Sequence, residues 1–130
     1  MREVAEAAGP EAAARLEAVC RAYVEFGLAN PEFYEIMYMF HSDRMARYPK
    51  ELFRRARRNL EDLGALAAAY AGAPAEEPAD ARAVRATALW SALHGTVSTI
   101  VADRLDRRLD RARFVEAAVR FALAGVRGGA

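Results

Sequence analysis

A run of 17 residues without a charged side chain, at positions 86–102, most constrains what this chain can fold into. The run contains Ser, Thr and His, which favours a buried helix over a membrane span. On a helical wheel its bulky residues gather on the side of Trp90, and small residues occupy the other half. A helix that is apolar nearly all round must be covered on more than one side. We therefore expect water to reach only a narrow strip near Arg85, Thr96 and Asp103.

The remaining sequence predicts more helices and no strand. Alanine fills 31 positions, whereas Val, Ile and Thr together fill 14, and alanine favours helices while β-branched residues favour strands. Apolar residues recur at three- and four-residue steps between Pro, Gly and Asn breaks. The fold class is therefore all-α, an antiparallel bundle of five helices. The predicted helices are 10–29, 30–40, 49–71, 80–104 and 111–126.

Charge and cysteine content exclude several classes of protein. Lys and Arg number 19 and Asp and Glu number 18, so the net charge of +1 does not favour a nucleic-acid-binding module or a membrane-surface protein. The basic run at 54–58 lies in a predicted helix where carboxylates four residues away neutralise it, as Asp62 does for Arg58. A single cysteine, Cys20, allows no intrachain disulfide. No signal peptide is recognisable at Met1, so we expect a cytoplasmic location.

The sequence predicts no metal, no cofactor and no catalytic residue. Neither histidine, His41 or His94, has a Glu three residues before it, so the pattern of carboxylate-bridged di-iron bundles is missing. Cys20 lies on the apolar face of its helix, as a structural thiol does. Ser91 and His94 share a helix but have no orienting acid at helical spacing. A small helical-bundle enzyme that depends on Cys20 or His94 stays an alternative.

Aromatic, methionine and histidine side chains are concentrated in the first half of the chain and near position 90. They could form a plain core, although the core of a small bundle usually prefers aliphatic residues. They could also line a pocket, because an apolar cavity with a few polar groups is typical of small-molecule sites. Both interpretations stay open on these residues alone. The predicted ligand-binding residues are Tyr23, Phe26, Tyr34, Met37, Tyr38, His41, Phe53, Trp90 and His94.

The last two helices predict a dimer. Their apolar arcs are too wide for a single small bundle to cover, and exposed apolar patches of that extent usually mark interfaces. We expect a symmetric homodimer in which these helices of both chains form a four-helix bundle. The alternative is a monomer that tolerates exposed alanine. The predicted interface residues are Ala88, Ser91, Ala92, Gly95, Ser98, Thr99, Ala102, Val115, Val119 and Ala122.

Three motifs in this order resemble a known family. The segment from Trp90 to Gly95 reads Trp-x-x-x-His-Gly, and a helix–Asn30–Pro31–helix segment precedes it. Arg108-Leu-Asp leads into the last helix. Together they resemble the C-terminal (WHG-type) domain of TetR/AcrR-type bacterial transcriptional regulators over about residues 10–127.

That resemblance implies a ligand-sensing and dimerisation domain at residues 10–127, followed by a tail at 128–130. Residues 1–9 would be the remnant of a helix that connects to a DNA-binding domain, which we expect to be missing from this chain. The chain alone would then contact no nucleic acid, and ligand binding would alter the DNA binding of the full-length regulator. The resemblance also implies that Trp90 and His94 wall a pocket for a small hydrophobic or aromatic ligand. A helical protein-interaction module without a ligand is the alternative function.

Overall fold

The computed structural model describes residues 1–35 and 50–128, and within the helix that begins at Lys50 the side chains at 50–53, 55 and 56 lie outside the described set. These residues form helices and no strand, which confirms the all-α prediction for the described part of the chain. Six helices are present there, because the segment before Gly9 is itself helical. They are α1 (Arg2–Ala7), α2 (Ala12–Ala29), α3 (Pro31–Tyr34), α4 (Lys50–Ala71), α5 (Ala79–Val101) and α6 (Arg111–Gly128).

The four long helices form a bundle in which α4, α5 and α6 alternate in direction. Near one end, Gly64 of α4 lies against Arg82 of α5, and the guanidinium of Arg127 in α6 lies 4.5 Å from the centre of the Tyr70 ring of α4. Toward the other end, Gly27 of α2 packs closely on α5. Helix α2 therefore runs parallel to α5 and antiparallel to α4 and α6.

The core consists of aliphatic side chains from every long helix. The bulky side of α5 faces this core as predicted, with Leu89, Leu93 and Val97 almost completely buried. The predicted water-facing strip of α5 is wrong at two positions. Thr96 is buried and donates a hydrogen bond to the carbonyl of Ala92 at 2.9 Å, and Arg85 is largely buried against the carboxylate of Glu77. Thr96 can be buried because a local carbonyl replaces water, and Arg85 because the Glu77 carboxylate balances its charge.

The ends of α5 follow ordinary capping chemistry. It begins at Ala79, one residue before the predicted Asp80, which lies in the first turn where a carboxylate stabilises the helix. At the other end Asp103 has a φ of 52°, and the amides of Asp103 and Arg104 donate to the carbonyls of Ile100 and Thr99. This is the Schellman arrangement, and it ends α5 at Val101, three residues earlier than predicted.

Ion pairs connect helices that are distant in sequence. Arg2 of α1 donates two hydrogen bonds to Asp62 of α4 at 2.9 and 3.0 Å, so the partner of Asp62 is Arg2 and not the predicted Arg58. Arg21 of α2 bridges Glu17 and Glu116, which ties α2 to the first half of α6. None of the described helices combines the length and the hydrophobicity that crossing a membrane would require.

Candidate functional site

The junction between α2 and α3 brings Tyr34 against α5. The backbone amide and the side-chain amide of Asn30 both donate to the carbonyl of Phe26, at 3.0 and 2.9 Å, which closes the end of α2. Pro31 then begins α3, where its missing N–H costs no hydrogen bond. The short helix turns the chain back, so Tyr34 is completely buried beside α5.

Gly27 allows α2 to approach closely enough to form this site. A Cβ atom at position 27 would lie 2.6 Å from Cγ1 of Val97 and 3.0 Å from Cδ2 of Tyr34. Both distances are far shorter than ordinary contacts between carbon atoms. Only a residue without a side chain therefore fits at this crossing of α2 and α5.

Four residues, which we call the aromatic cluster, meet at this crossing: Tyr23, Tyr34, Trp90 and His94. The imidazole of His94 stacks between two rings, with centroid distances of 5.4 Å to Tyr34 and 4.9 Å to Trp90. The rings are inclined by 27° and 20°, so the three planes are nearly parallel. Tyr23 meets Tyr34 edge to face at 6.3 Å. Helices α2, α3 and α5 thus each contribute to one continuous aromatic surface.

Hydrogen bonds join three residues of the aromatic cluster, Tyr23, Tyr34 and His94. The Tyr34 hydroxyl is hydrogen-bonded to Nδ1 of His94 and lies 3.3 Å from the hydroxyl of Tyr23. Burial lowers the pKa of His94, so its imidazole is neutral at neutral pH. A neutral ring carries its single proton on either Nδ1 or Nε2. The tautomer of His94 therefore sets the direction of its hydrogen bond with Tyr34, whose hydroxyl also lies 3.3 Å from the backbone carbonyl of His94 and can donate to it.

The structure brings together four of the nine predicted ligand-binding residues. Tyr34 is buried in the aromatic cluster, while Tyr23, Trp90 and His94 are half-buried and leave an edge that solvent can reach. Phe26 lies apart from them: it is 47% exposed and meets Phe33 edge to face at 5.9 Å. The remaining predicted positions, Met37, Tyr38, His41 and the side chain of Phe53, lie outside the described residues.

The aromatic cluster offers a ligand flat apolar surfaces and a few hydrogen-bonding atoms. Aromatic rings bind planar compounds by offset or edge-to-face contact. The imidazole can donate or accept, depending on its tautomer. Two grooves on the surface of the described residues are lined by other side chains.

A second feature is the exposed side of α5 and α6. Seven of the ten predicted interface positions, six on α5 and Ala102 directly after it, keep at least part of their surface exposed. The predicted α6 positions are different, because Val119 is completely buried and Ala122 is 9% exposed within the chain itself. Val115 is half-buried and packs against the same core. Val115 and Val119 therefore face the core of the chain itself, whereas Ala122 lines a groove between α5 and α6.

The residues that α6 does expose were missed by the sequence analysis. Phe121 is 79% exposed and, across a groove, faces Val84 of α5, which is 70% exposed. Gly125 also lines this groove, and a Cβ atom there would meet nothing within 4 Å. The signal was the Phe121–Gly125 spacing of four residues, which the wheel places on a stripe next to the valines. The exposed residues of both helices form what we call the outer face: Val84, Thr87, Ala88, Ser91, Ala92, Gly95, Phe121 and Gly125.

The candidate nucleophiles are in unsuitable surroundings. Cys20 is buried, and its burial, with a smaller contribution from the Glu17 carboxylate, raises the pKa of the thiol to about 12. A thiol with that pKa is protonated at neutral pH, whereas the thiolate is the reactive form. Ser91 is exposed on the outer face, while Nδ1 of His94 is bound by Tyr34.

A comparison with protein families shows which family this chain belongs to. Residues 16–122 match the family described as tetracycline repressor-like, C-terminal domain. The chain belongs to this family. The tetracycline repressor-like C-terminal domain is a domain of regulators, so the match confirms the resemblance given by the Trp90 and Asn30–Pro31 motifs at that level. Neither the curated proteins nor the solved structures contain a significant match.

Proposed function

We propose that this tetracycline repressor-like domain senses a small molecule at the aromatic cluster and dimerises through its outer face. The observation that carries the sensing proposal is the stacked arrangement of Tyr34, His94 and Trp90, in which Tyr34 is hydrogen-bonded to His94. A core that served packing alone would not need a neutral imidazole between two rings. An aromatic surface with a reachable edge and few polar atoms is typical of ligand sites.

The chemistry of the aromatic cluster favours an uncharged, planar compound. Because His94 is neutral at neutral pH, it offers a hydrogen bond and no charge for a carboxylate or phosphate. The half-buried hydroxyl of Tyr23 is likewise an uncharged partner, while the buried hydroxyl of Tyr34 is hydrogen-bonded to His94. The proposed ligand is therefore an aromatic or otherwise hydrophobic molecule with one or two hydrogen-bonding groups.

Helix α2 gives a physical route from the aromatic cluster to the start of the chain. Its last turns carry Tyr23 and Gly27 at the site, and its first turns pack against α1, where Ala5 is buried. An 18-residue helix spans about 27 Å. A ligand that shifts the C-terminal end of α2 would therefore shift its contacts with α1. In the full-length regulator we propose that this movement alters a DNA-binding domain joined before α1, with a coupling of roughly 1–3 kcal/mol.

Ligand binding can be tested with the single tryptophan of the chain. The purified protein is examined by native mass spectrometry for retained small molecules and is then titrated with a panel of uncharged planar aromatics, following Trp90 fluorescence and calorimetric heat. Trp90→Ala and His94→Gln should weaken binding at least tenfold in calorimetry. Leu109→Ala, which alters an exposed loop residue, is the matched control and should bind as the parent does.

Equal affinity in all four proteins would place any binding elsewhere and would remove the aromatic cluster as the site. Circular dichroism of each variant separates loss of the ligand from loss of the fold. A dimer that binds none of the aromatics and retains no extra mass would favour the other candidate function, a helical interaction module.

Dimerisation has its own test. A bulky side chain in the middle of the outer face, as in Ala92→Trp, should convert the protein to a monomer in light scattering. Ala14→Trp places the same side chain on an exposed position of α2 and should not change the mass. If Ala92→Trp remains a dimer, the outer face is not the interface.

A further inference from the structure

A groove with a volume of about 490 Å³ runs along the outer face between the first half of α5 and the last half of α6. Its floor and walls are mostly small or aliphatic, and they include Ala88, Ala92 and Gly125. Phe121 forms one wall and nevertheless exposes 79% of its surface. A large apolar side chain is therefore held in water directly beside an apolar groove.

We propose that the occupant of this groove is Phe121 of a second copy of the chain, and that the two Phe121 side chains form a reciprocal anchor. This inference rests on the proposed dimer and adds the contact that holds it. A two-fold interface is self-complementary, so any projecting group must meet a hollow on the same face. Phe121 and the groove satisfy this condition, because a two-fold axis that passes between them places each phenyl ring in the opposite groove.

The size of the groove fits a phenyl ring. A cavity of about 150 Å³ is enough to hold benzene, so a groove of about 490 Å³ accommodates the ring of a second copy and the adjacent turn of its helix. The small residues along the floor let the second helix approach. At Gly95 and Gly125 a Cβ atom would meet nothing within 4 Å, so both glycines leave further space on the same face.

The charge pattern also favours a second copy over a charged partner. The exposed α5 positions from Val84 to Gly95 are all uncharged. Charged groove residues are confined to Asp80 and Arg85 near the start of α5, and Arg85 is already paired with Glu77. The uncharged α5 positions give a charged partner no group with which to form an ion pair. Few charges and an aromatic anchor are the composition found at the centre of protein interfaces.

The anchor is tested by the dimer dissociation constant, measured by analytical ultracentrifugation. Phe121→Ala should raise it at least about 30-fold, as truncation of a buried aromatic anchor does. Phe33→Ala is the matched control, because Phe33 is also a half-exposed phenylalanine but lies on α3, away from the groove. It should leave the dissociation constant within about threefold of the parent value.

A pair of substitutions tests the contact itself. Ala88→Phe fills the groove from inside and should also weaken the dimer, because no room remains for the second ring. Combining Ala88→Phe with Phe121→Ala should restore much of the affinity, so that the double variant dissociates less readily than either single variant. This non-additive change in the dimer dissociation constant is the result expected if positions 88 and 121 meet across the interface.

The outcomes separate this inference from the proposed dimer. A parent protein that is monomeric at high micromolar concentration overturns both. A dimeric parent whose affinity is unchanged by Phe121→Ala overturns the anchor and leaves the dimer standing on other contacts. Additive weakening by Ala88→Phe and Phe121→Ala would likewise contradict their contact.

Discussion

Replacing Gly27 with alanine should damage both the stability of the bundle and the geometry of the aromatic cluster. The added Cβ atom would lie 2.6 Å from Cγ1 of Val97 and 3.0 Å from Cδ2 of Tyr34, and both neighbours are completely buried. Overpacking of this kind costs about 1–3 kcal/mol, and the short distances place this site in the upper half of that range. Alanine gains about 1 kcal/mol over glycine in helix propensity. We expect a net loss of about 1–2 kcal/mol in the free energy of unfolding.

The control is Gly64→Ala, the same change in the buried crossing of α4 and α5. There the nearest atoms are Cγ of the flexible Arg82 at 3.2 Å and Cβ of Ala86 at 3.3 Å. A small adjustment relieves these contacts, so we expect a net change within about 1 kcal/mol. Guanidinium unfolding of the two variants and the parent at one protein concentration measures the difference. If Gly27→Ala is as stable as Gly64→Ala and leaves Trp90 fluorescence unchanged, α2 does not approach α5 as closely as the reasoning requires.

Three further predictions concern titration, reactivity and backbone conformation. Because burial lowers the pKa of His94 in the folded state, the unfolded chain binds its proton first as the pH falls below about 6.5. The stability that His94 provides is therefore fully present above that pH and declines below it. The unfolding midpoint is measured at pH 7.5 and at pH 5.5 for the parent and for His94→Gln. The same change in midpoint for both proteins would contradict this prediction. Cys20 has a buried thiol with a pKa of about 12, so it should resist iodoacetamide at pH 8 and react only in denaturant. Mass spectrometry detects the adduct, and rapid labelling of the native protein would refute the burial of Cys20. At Asp103 the φ angle is 52°, a conformation in which a β-branched residue is strained. Asp103→Val should therefore lower the free energy of unfolding by about 1–2 kcal/mol, while Asp103→Gly should not. Equal losses of stability in thermal unfolding of the two variants would argue against the left-handed turn.

Much of the fold could be predicted because local signals are strong in an alanine-rich chain. The Asn30–Pro31 pair marks the end of one helix and the start of the next, and the structure turns there. The bulky side of α5 could be assigned to the core because Leu89, Leu93 and Val97 leave it no polar alternative. Both predictions, of the helix boundary and of the buried side of α5, depend on residues close in sequence, which a helical wheel represents well.

The orientation of α6 could not be predicted in the same way. Its Phe121 stripe and its Val119 stripe are both apolar, and the wheel gives no reason to bury one and expose the other. The choice depends on how the side chains fit α5, a contact between distant parts of the chain. Thr96 was predicted to be exposed because its hydroxyl is polar. Its hydroxyl instead donates a hydrogen bond to the carbonyl of Ala92 within the same helix, so the side chain can be buried.

The four residues of the aromatic cluster are among the nine predicted positions, but their arrangement could not be predicted. Tyr34 and His94 are 60 positions apart, and their hydrogen bond depends on Gly27 letting the two helices meet. Phe26 is also aromatic and lies one turn from Tyr23, yet it is half-exposed because the helical rotation places it outside the crossing. Aromatic content indicated that a site was possible, whereas backbone proximity determined which rings formed it.

The position of α5 between the two proposed functional surfaces would limit how this domain can evolve. Its inner side carries Trp90 and His94, and its outer side carries Ala88 and Ala92. With a second copy on the outer side, replacing each uncharged residue of α5 with arginine in turn should be disruptive at every position. A surface helix would instead tolerate arginine on its exposed face, with a period of about 3.6 residues. Drift toward a new ligand would therefore be concentrated on α2 and α3, because a substitution on α5 that suits one surface must also be compatible with the other.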